Sequence, residues 1–236
     1  MTDTVVPDVG TDTRNAGRFL YTATVVFLCA WVIVPIYFLL INTLSSPETV
    51  NSFPKPFLPE FDLGSLAFFA GFEGMLTALK NSVLVAGMTM SMSILIGAPA
   101  GYALSRFEFR GKGLFRLLIL LTRAFPLPLL ALPLAVLFIR TGLDDTAFGL
   151  ALVHTTLAIP FSVLITFSLF SGIPIELEEA AWTLGCNRVT AFTKVVLPLI
   201  LPGITASAIF AFVISWNEVF AAAVLTIENR TLTAFL

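Results

Sequence analysis

The chain has 236 residues, 57% of them hydrophobic and 12% charged, with a formal net charge of −2 and a mean hydropathy of +0.95. Soluble domains carry about a quarter charged residues, so this composition places the chain among polytopic membrane proteins. It holds no basic run that would serve as a surface for nucleic acid.

Residues 1–18 form a polar tail ahead of the first apolar run, Phe19 to Ile41. That run of about 23 residues is long enough to cross a hydrocarbon core and too long for a signal-peptide core. No Ala-x-Ala site follows it, so it is expected to be retained. Ser45 to Lys80 contains Pro47, Pro54, Pro56 and Pro59 and reads as a loop or a set of short surface helices. The second span is expected over 82–104, with Gly97-Ala98-Pro99-Ala100-Gly101 as a small-residue face for close helix packing. A short basic turn leads to a third span over 114–139, interrupted by Pro126, Pro128 and Pro133. A fourth is expected over 146–170 and a fifth over 199–226, so that 19–236 is one membrane domain.

Between the fourth and fifth spans lies a polar loop, 171–198. Pro174 and the acids Glu176, Glu178 and Glu179 suit a helix N-terminus, where negative charge is favoured. A turn is expected at Gly185 and a second short helix after it, ended by Pro198 and Pro202. Ala180 and Ala181 leave a shallow flank that another surface can approach. With the N-terminus inside, Arg14, Arg18, Arg106, Arg110, Lys112, Arg116, Arg188 and Lys194 fall on the cytoplasmic side, against Lys55, Lys80, Arg140 and Arg230 outside. The excess of basic residues puts loop 171–198 in the cytoplasm. Five spans leave the C-terminus outside, which leads to the expectation of a sixth span beyond Leu236.

Glu179-Ala180-Ala181, then Gly185, then Leu197-Pro198 resembles the cytoplasmic loop of binding-protein-dependent ABC importer permeases, with Val195 in place of the usual Ile. Tyr102-Ala103-Leu104 with Arg106, Gly111 and Lys112, and Trp216-Asn217-Glu218, are similar to stretches of the smaller, maltose-type permease of carbohydrate importers. The resemblance implies an all-α, type I importer permease of six helices in the inner membrane of a prokaryote. It further implies a second permease subunit, two cytoplasmic ATP-binding subunits and an extracytoplasmic solute-binding protein. The expected cargo is a sugar or polyol. An amino-acid or peptide permease is the nearest alternative, and an ion-driven secondary transporter is the rival from another class. The chain has no phosphate-binding loop of its own: Gly111-Lys112 is followed by Gly113, and Arg106 stands where that loop's first glycine belongs. ATP and Mg are therefore expected on the partner ATPase, with no cofactor on this chain.

No catalytic set is visible. The lone His154 excludes a histidine-based metal cluster, and Cys29 and Cys186 lie too far apart in the expected topology for a disulfide. Ionisable residues at membrane depth usually face protein or water. Arg123, about nine residues or roughly 14 Å into the third span, is the deepest. Arg123, Asn217 and Glu218 read either as a polar pathway for a hydroxyl-rich solute or as an interhelical lock. Trp216 reads as a sugar-stacking or a packing aromatic, and His154 as a hydrogen-bonded packing residue.

Overall fold

A computed structural model describes residues 10–54 and 57–236, and every regular element among them is a helix. The polar tail up to residue 9, together with Lys55 and Pro56, lies outside the described residues. From Gly10 onward the expected tail is helical, continuous with the first apolar run. The chain divides into two compact units, Met1–Phe72 and Glu73–Leu236. The first holds α1 (Gly10–Thr43), α2 (Pro47–Asn51) and α3 (Gly64–Gly71). Ser46 caps α2, and Thr49 Oγ1 and Ser46 N donate to the Glu60 carboxylate at 2.5 and 3.2 Å, which folds the proline-rich segment back on itself.

The second unit is built on α4 (Met75–Arg106), α7 (Ala147–Ser171) and α10 (Leu197–Trp216). α4 and α7 share the largest contact and run parallel: Gly97 lies against Ser162, and Gly101 against Thr166 and Phe167. A Cβ at Gly97 would sit 2.6 Å from Ser162 Cβ, and one at Gly101 2.6 Å from the Phe167 amide nitrogen. The small-residue face thus brings two backbones together, as helix pairs in lipid require. Thr166 Oγ1 uses that proximity and reaches the Gly97 carbonyl at 2.9 Å. α10 runs antiparallel across both helices, with Gly203 against Leu169 near the loop end and Ser215 against His154 at the other. Val85, Leu150, Ala222 and Leu225 make one core; Ala98, Phe170, Val196 and Ile200 make a second beneath the loop.

The third expected span is not one straight helix. α5 (Lys112–Leu121) runs through a 3₁₀ turn, Thr122–Ala124, and then meets α6 (Leu127–Thr141) at a bend of 84°. A residue before proline avoids the α region, and Phe125, ahead of Pro126, is extended at ψ 116°. Hydropathy shows the apolar run but is blind to this corner. The fifth expected span also differs. α10 stops at Trp216, and α11 (Phe220–Leu225) restarts beyond Glu218, whose carboxylate accepts from the amides of Phe220 and Ala221 at 3.1 and 2.8 Å. A carboxylate in that position supplies the cap the new helix needs.

The turn between α6 and α7 is clasped to residues 226–230. Asp145, at φ 50°, accepts from the amides of Ile227, Glu228 and Asn229 at 2.8 to 3.2 Å, and Asn229 Nδ2 donates to its carbonyl. Partial burial raises the Asp145 carboxyl, but the three amides outweigh it and hold it below the usual aspartate value. A lowered native value means stability that is complete above the unfolded value of about 3.9 and is lost as the pH falls through the lower native one. Asp145→Ala is expected to reduce the melting temperature in detergent by a few degrees at pH 7, with the gap to wild type narrowing as the pH drops below that range. A constant gap would contradict this account of the clasp.

Candidate functional site

Loop 171–198 folds as two helices around a turn. α8 (Glu176–Thr183) closes on Gly185, whose φ of 90° favours glycine. The Gly185 amide bonds the Trp182 carbonyl and the Cys186 amide the Ala181 carbonyl, both at 3.0 Å, a Schellman closure. Asn187 then caps α9 (Arg188–Ala191), its Oδ1 accepting from Thr190 N at 2.8 Å. Arg188 stacks back over the Trp182 ring at 5.2 Å and ties the two helices across the turn.

The second helix does not end at Pro198 and Pro202. It continues through one π turn, Phe192–Val196, into α10, so that the loop and the span are one piece of chain. The Leu197 amide reaches the Phe192 carbonyl five residues back, so the bonding register shifts by one just ahead of Pro198, which has no amide to give.

Glu178 anchors α8 from behind. Its side chain is 2% exposed and takes Arg106 Nε at 2.6 Å on one oxygen and Tyr102 Oη at 2.6 Å on the other. Arg106 also donates through Nη1 to the Phe170 carbonyl at 3.0 Å. Three segments therefore meet at one ion pair: the end of α4 supplies Arg106, the first turn of α8 supplies Glu178, and the end of α7 is held through the Phe170 carbonyl on Arg106. Tyr102 is edge-on to Phe170 and Phe192, with centroids 5.2 and 4.8 Å apart. Sequence reasoning put Glu179 in the site and gave Glu178 only a place among the acids of the helix N-terminus. A usable signal was present, since Tyr102 and Arg106 are four apart and share a helix face.

The outward surface of the loop is what that anchor presents. Glu179, Ala180, Gly185 and Pro198 are exposed and Leu184 is 86% exposed, while Leu197 is half-buried. Ala181, expected beside Ala180 on an open flank, is buried, because it turns toward the chain's own core.

The deeper candidates do not form one cluster. Arg123 stands on the 3₁₀ turn at the α5–α6 corner, donates to the Leu157 carbonyl at 3.1 Å and lies over the Phe161 ring at 4.4 Å. Glu218 lies 3.4 Å from His154 Nε2, and His154 Nδ1 contacts Ser215 Oγ at 2.7 Å. No salt bridge joins Arg123 to Glu218 among the described residues. His154 is fully buried and polar-bonded, as a packing residue would be. Trp216 stacks on Phe212 with centroids 5.6 Å apart, and Asn217 Nδ2 folds back to the Val213 carbonyl.

The model of the family described as the binding-protein-dependent transport system inner membrane component matches residues 93–236, more than half of the chain. The chain belongs to that family. Among its relatives, the trehalose transport system permease protein of Mycobacterium tuberculosis is 37% identical over 158 residues, 67% of this chain and 58% of that protein. The sulfoquinovosyl glycerol transport system permease protein of Agrobacterium fabrum is 39% identical over 140 residues, 59% of this chain and 49% of its own length. The chain thus spans about half to three fifths of these two family members. In fold it is similar to a chain of a crystallised bacterial ABC transporter involved in the import of the acidic polysaccharide alginate. The TM-score is 0.72 at 22% identity, covering 98% of this chain and 81% of the other.

Proposed function

We propose that this chain is the membrane-spanning subunit of an ATP-driven importer and forms, with a second permease subunit, the pathway of a sugar or polyol. An extracytoplasmic binding protein delivers the solute, and two cytoplasmic ATP-binding subunits hold ATP and Mg and perform the hydrolysis. The relatives named for trehalose and sulfoquinovosyl glycerol support a carbohydrate cargo. The observation that carries the reading is the loop: exposed Glu179, Ala180, Leu184 and Gly185 on a helix pinned from behind through Glu178 to α4 and α7. A rigid knob continuous with a spanning helix can pass a push into the membrane. Closure of the ATPase dimer moves the loop, and α4, α7 and α10 rock with it between inward and outward access. The basic residues Arg106, Lys112, Arg188 and Lys194 at this end support a cytoplasmic loop and a cytoplasmic N-terminus.

The test is substitution at the two positions that are open in this chain. Ala180→Trp adds bulk to an exposed site, and Gly185→Asp adds a charged side chain where a Cβ meets nothing within 4 Å, although the φ of 90° strains any side chain there; Ala180→Trp, free of that strain, is the deciding variant. Both variants are expected to reach the membrane. ATP-driven uptake in proteoliposomes should fall at least about tenfold per ATP hydrolysed, the size of an ordinary coupling free energy. Wild-type uptake by both variants overturns the docking assignment. Ala181 is unsuitable for this purpose, because a larger residue there disturbs the loop's own packing.

A further inference from the structure

We propose that Arg123 is an anion-reading residue of the solute pathway and that the cargo carries a carboxylate or sulfonate group. The inference rests on the pathway reading above and narrows its substrate class.

Arg123 meets α7 near the middle of that helix, at Leu157 and Phe161, half-way between Ala147 and Ser171. A charge at that depth is costly unless it faces protein, water or a counter-charge. The guanidinium has five N–H donors, of which one is used on the Leu157 carbonyl. Its central carbon stands 4.4 Å from the Phe161 ring centroid, and the side chain is exposed. Among the described residues no carboxylate lies within ion-pair distance of it. Glu218 accepts from the α11 amides and is not within ion-pair distance of Arg123. The result is a positioned cation with unspent donors, and a guanidinium can take a planar or trigonal oxyanion through two parallel bonds.

The surroundings fit a sugar bearing such a group. A groove of about 350 Å³ is lined by Thr122, Phe125, Leu130, Val153, Thr156 and Leu157; Arg123 is not in its wall but adjoins Thr122 in sequence and bonds Leu157. Its walls are mainly apolar and suit the C–H faces of a pyranose ring. Thr122 and Thr156 donate their hydroxyl protons to Ile119 and Val153, so their oxygens are left to accept from sugar hydroxyls.

The test uses the assembled transporter in detergent without its binding protein, so that the permease alone is read, with sodium glucuronate and glucose as calorimetric probes. Glucuronate is expected to bind at least about tenfold more tightly than glucose, and Arg123→Gln to bring glucuronate down to the level of glucose. Arg123→Lys should retain part of the preference and lose the two-pronged geometry. Equal affinity for both probes in wild type, or a glucuronate preference that survives in Arg123→Gln, overturns the proposal. Dissociation of the permease pair in Arg123→Gln, with the preference intact, assigns the residue to a subunit contact and likewise overturns it. Glucose uptake driven by ATP, with glucuronate neither preferred nor carried by wild type, would sink the anion reading and leave sugar import standing. Uptake that persists without ATP would sink the import reading beneath it.

Discussion

Gly101→Leu is expected to prevent accumulation of the folded chain, and Gly101→Ala to cost about 1–3 kcal/mol in a detergent unfolding titration. The reason is geometric. A Cβ at this position meets Thr166 Oγ1 and, at 2.6 and 2.9 Å, the Phe167 amide nitrogen and the Thr166 carbonyl carbon. Two of those atoms are backbone and cannot rotate away, so α4 and α7 must separate. Separation also strains the buried Thr166–Gly97 bond at 2.9 Å, which depends on the same approach. Gly87, on the same helix, supplies the control. Nothing lies within 4 Å of the point where its Cβ would stand. Gly87→Ala should therefore be neutral or stabilise α4 by about 0.5–1 kcal/mol, the usual gain of alanine over glycine in a helix. Equal losses at the two positions would show that helix propensity, and not the α4–α7 contact, sets the cost.

The contrast between those glycines illustrates what was legible in the sequence. Hydropathy locates apolar helices well, because a span in lipid must be continuous, apolar and internally bonded. α7 (Ala147–Ser171) follows its apolar run almost residue for residue. The Gly97–Gly101 spacing also pointed to a close helix contact, although not to its partner on α7. Direction was harder to read. The prolines at 126 and 128 were visible, but the 84° corner depends on how Phe125 and Pro126 settle, which no window average reports. The end of α10 was missed for a related reason: Ala221, Ala222 and Leu225 continue the apolar run, while Glu218 restarts the backbone by capping α11. In the loop, the pattern led to Glu179 and Ala180 on the outside. It did not lead to the group that holds them there, because a buried acid and an exposed acid one residue apart look alike until the helix has a phase. That phase also separates exposed Ala180 from buried Ala181.

Removing either charge of the Arg106–Glu178 pair is expected to be the most damaging polar change in the chain. The two side chains are 10% and 2% exposed and meet at 2.6 Å. Loss of one partner leaves the other buried and uncompensated, a cost of about 3–5 kcal/mol for such pairs. Glu178→Gln keeps the shape and an acceptor, yet leaves the guanidinium without its counter-ion; Arg106→Met leaves the carboxylate with Tyr102 alone. Tyr102→Phe removes one hydrogen bond to a charged oxygen and should cost less, about 1.5–3 kcal/mol. The double variant Arg106→Met with Glu178→Met is the informative one. An apolar pair of similar volume can equal a buried ion pair in stability, so much of the loss should return. Coupling is a different matter. If α8 drives α4 through this contact, the apolar pair restores thermal stability but not uptake per ATP, because a greasy contact can slide where a bonded one cannot. A double-mutant cycle run on melting temperature and on transport therefore separates the two roles. Recovery of both readouts would confine Arg106 and Glu178 to holding the loop in place, whereas recovery of stability alone would make them the joint through which the loop moves the membrane helices.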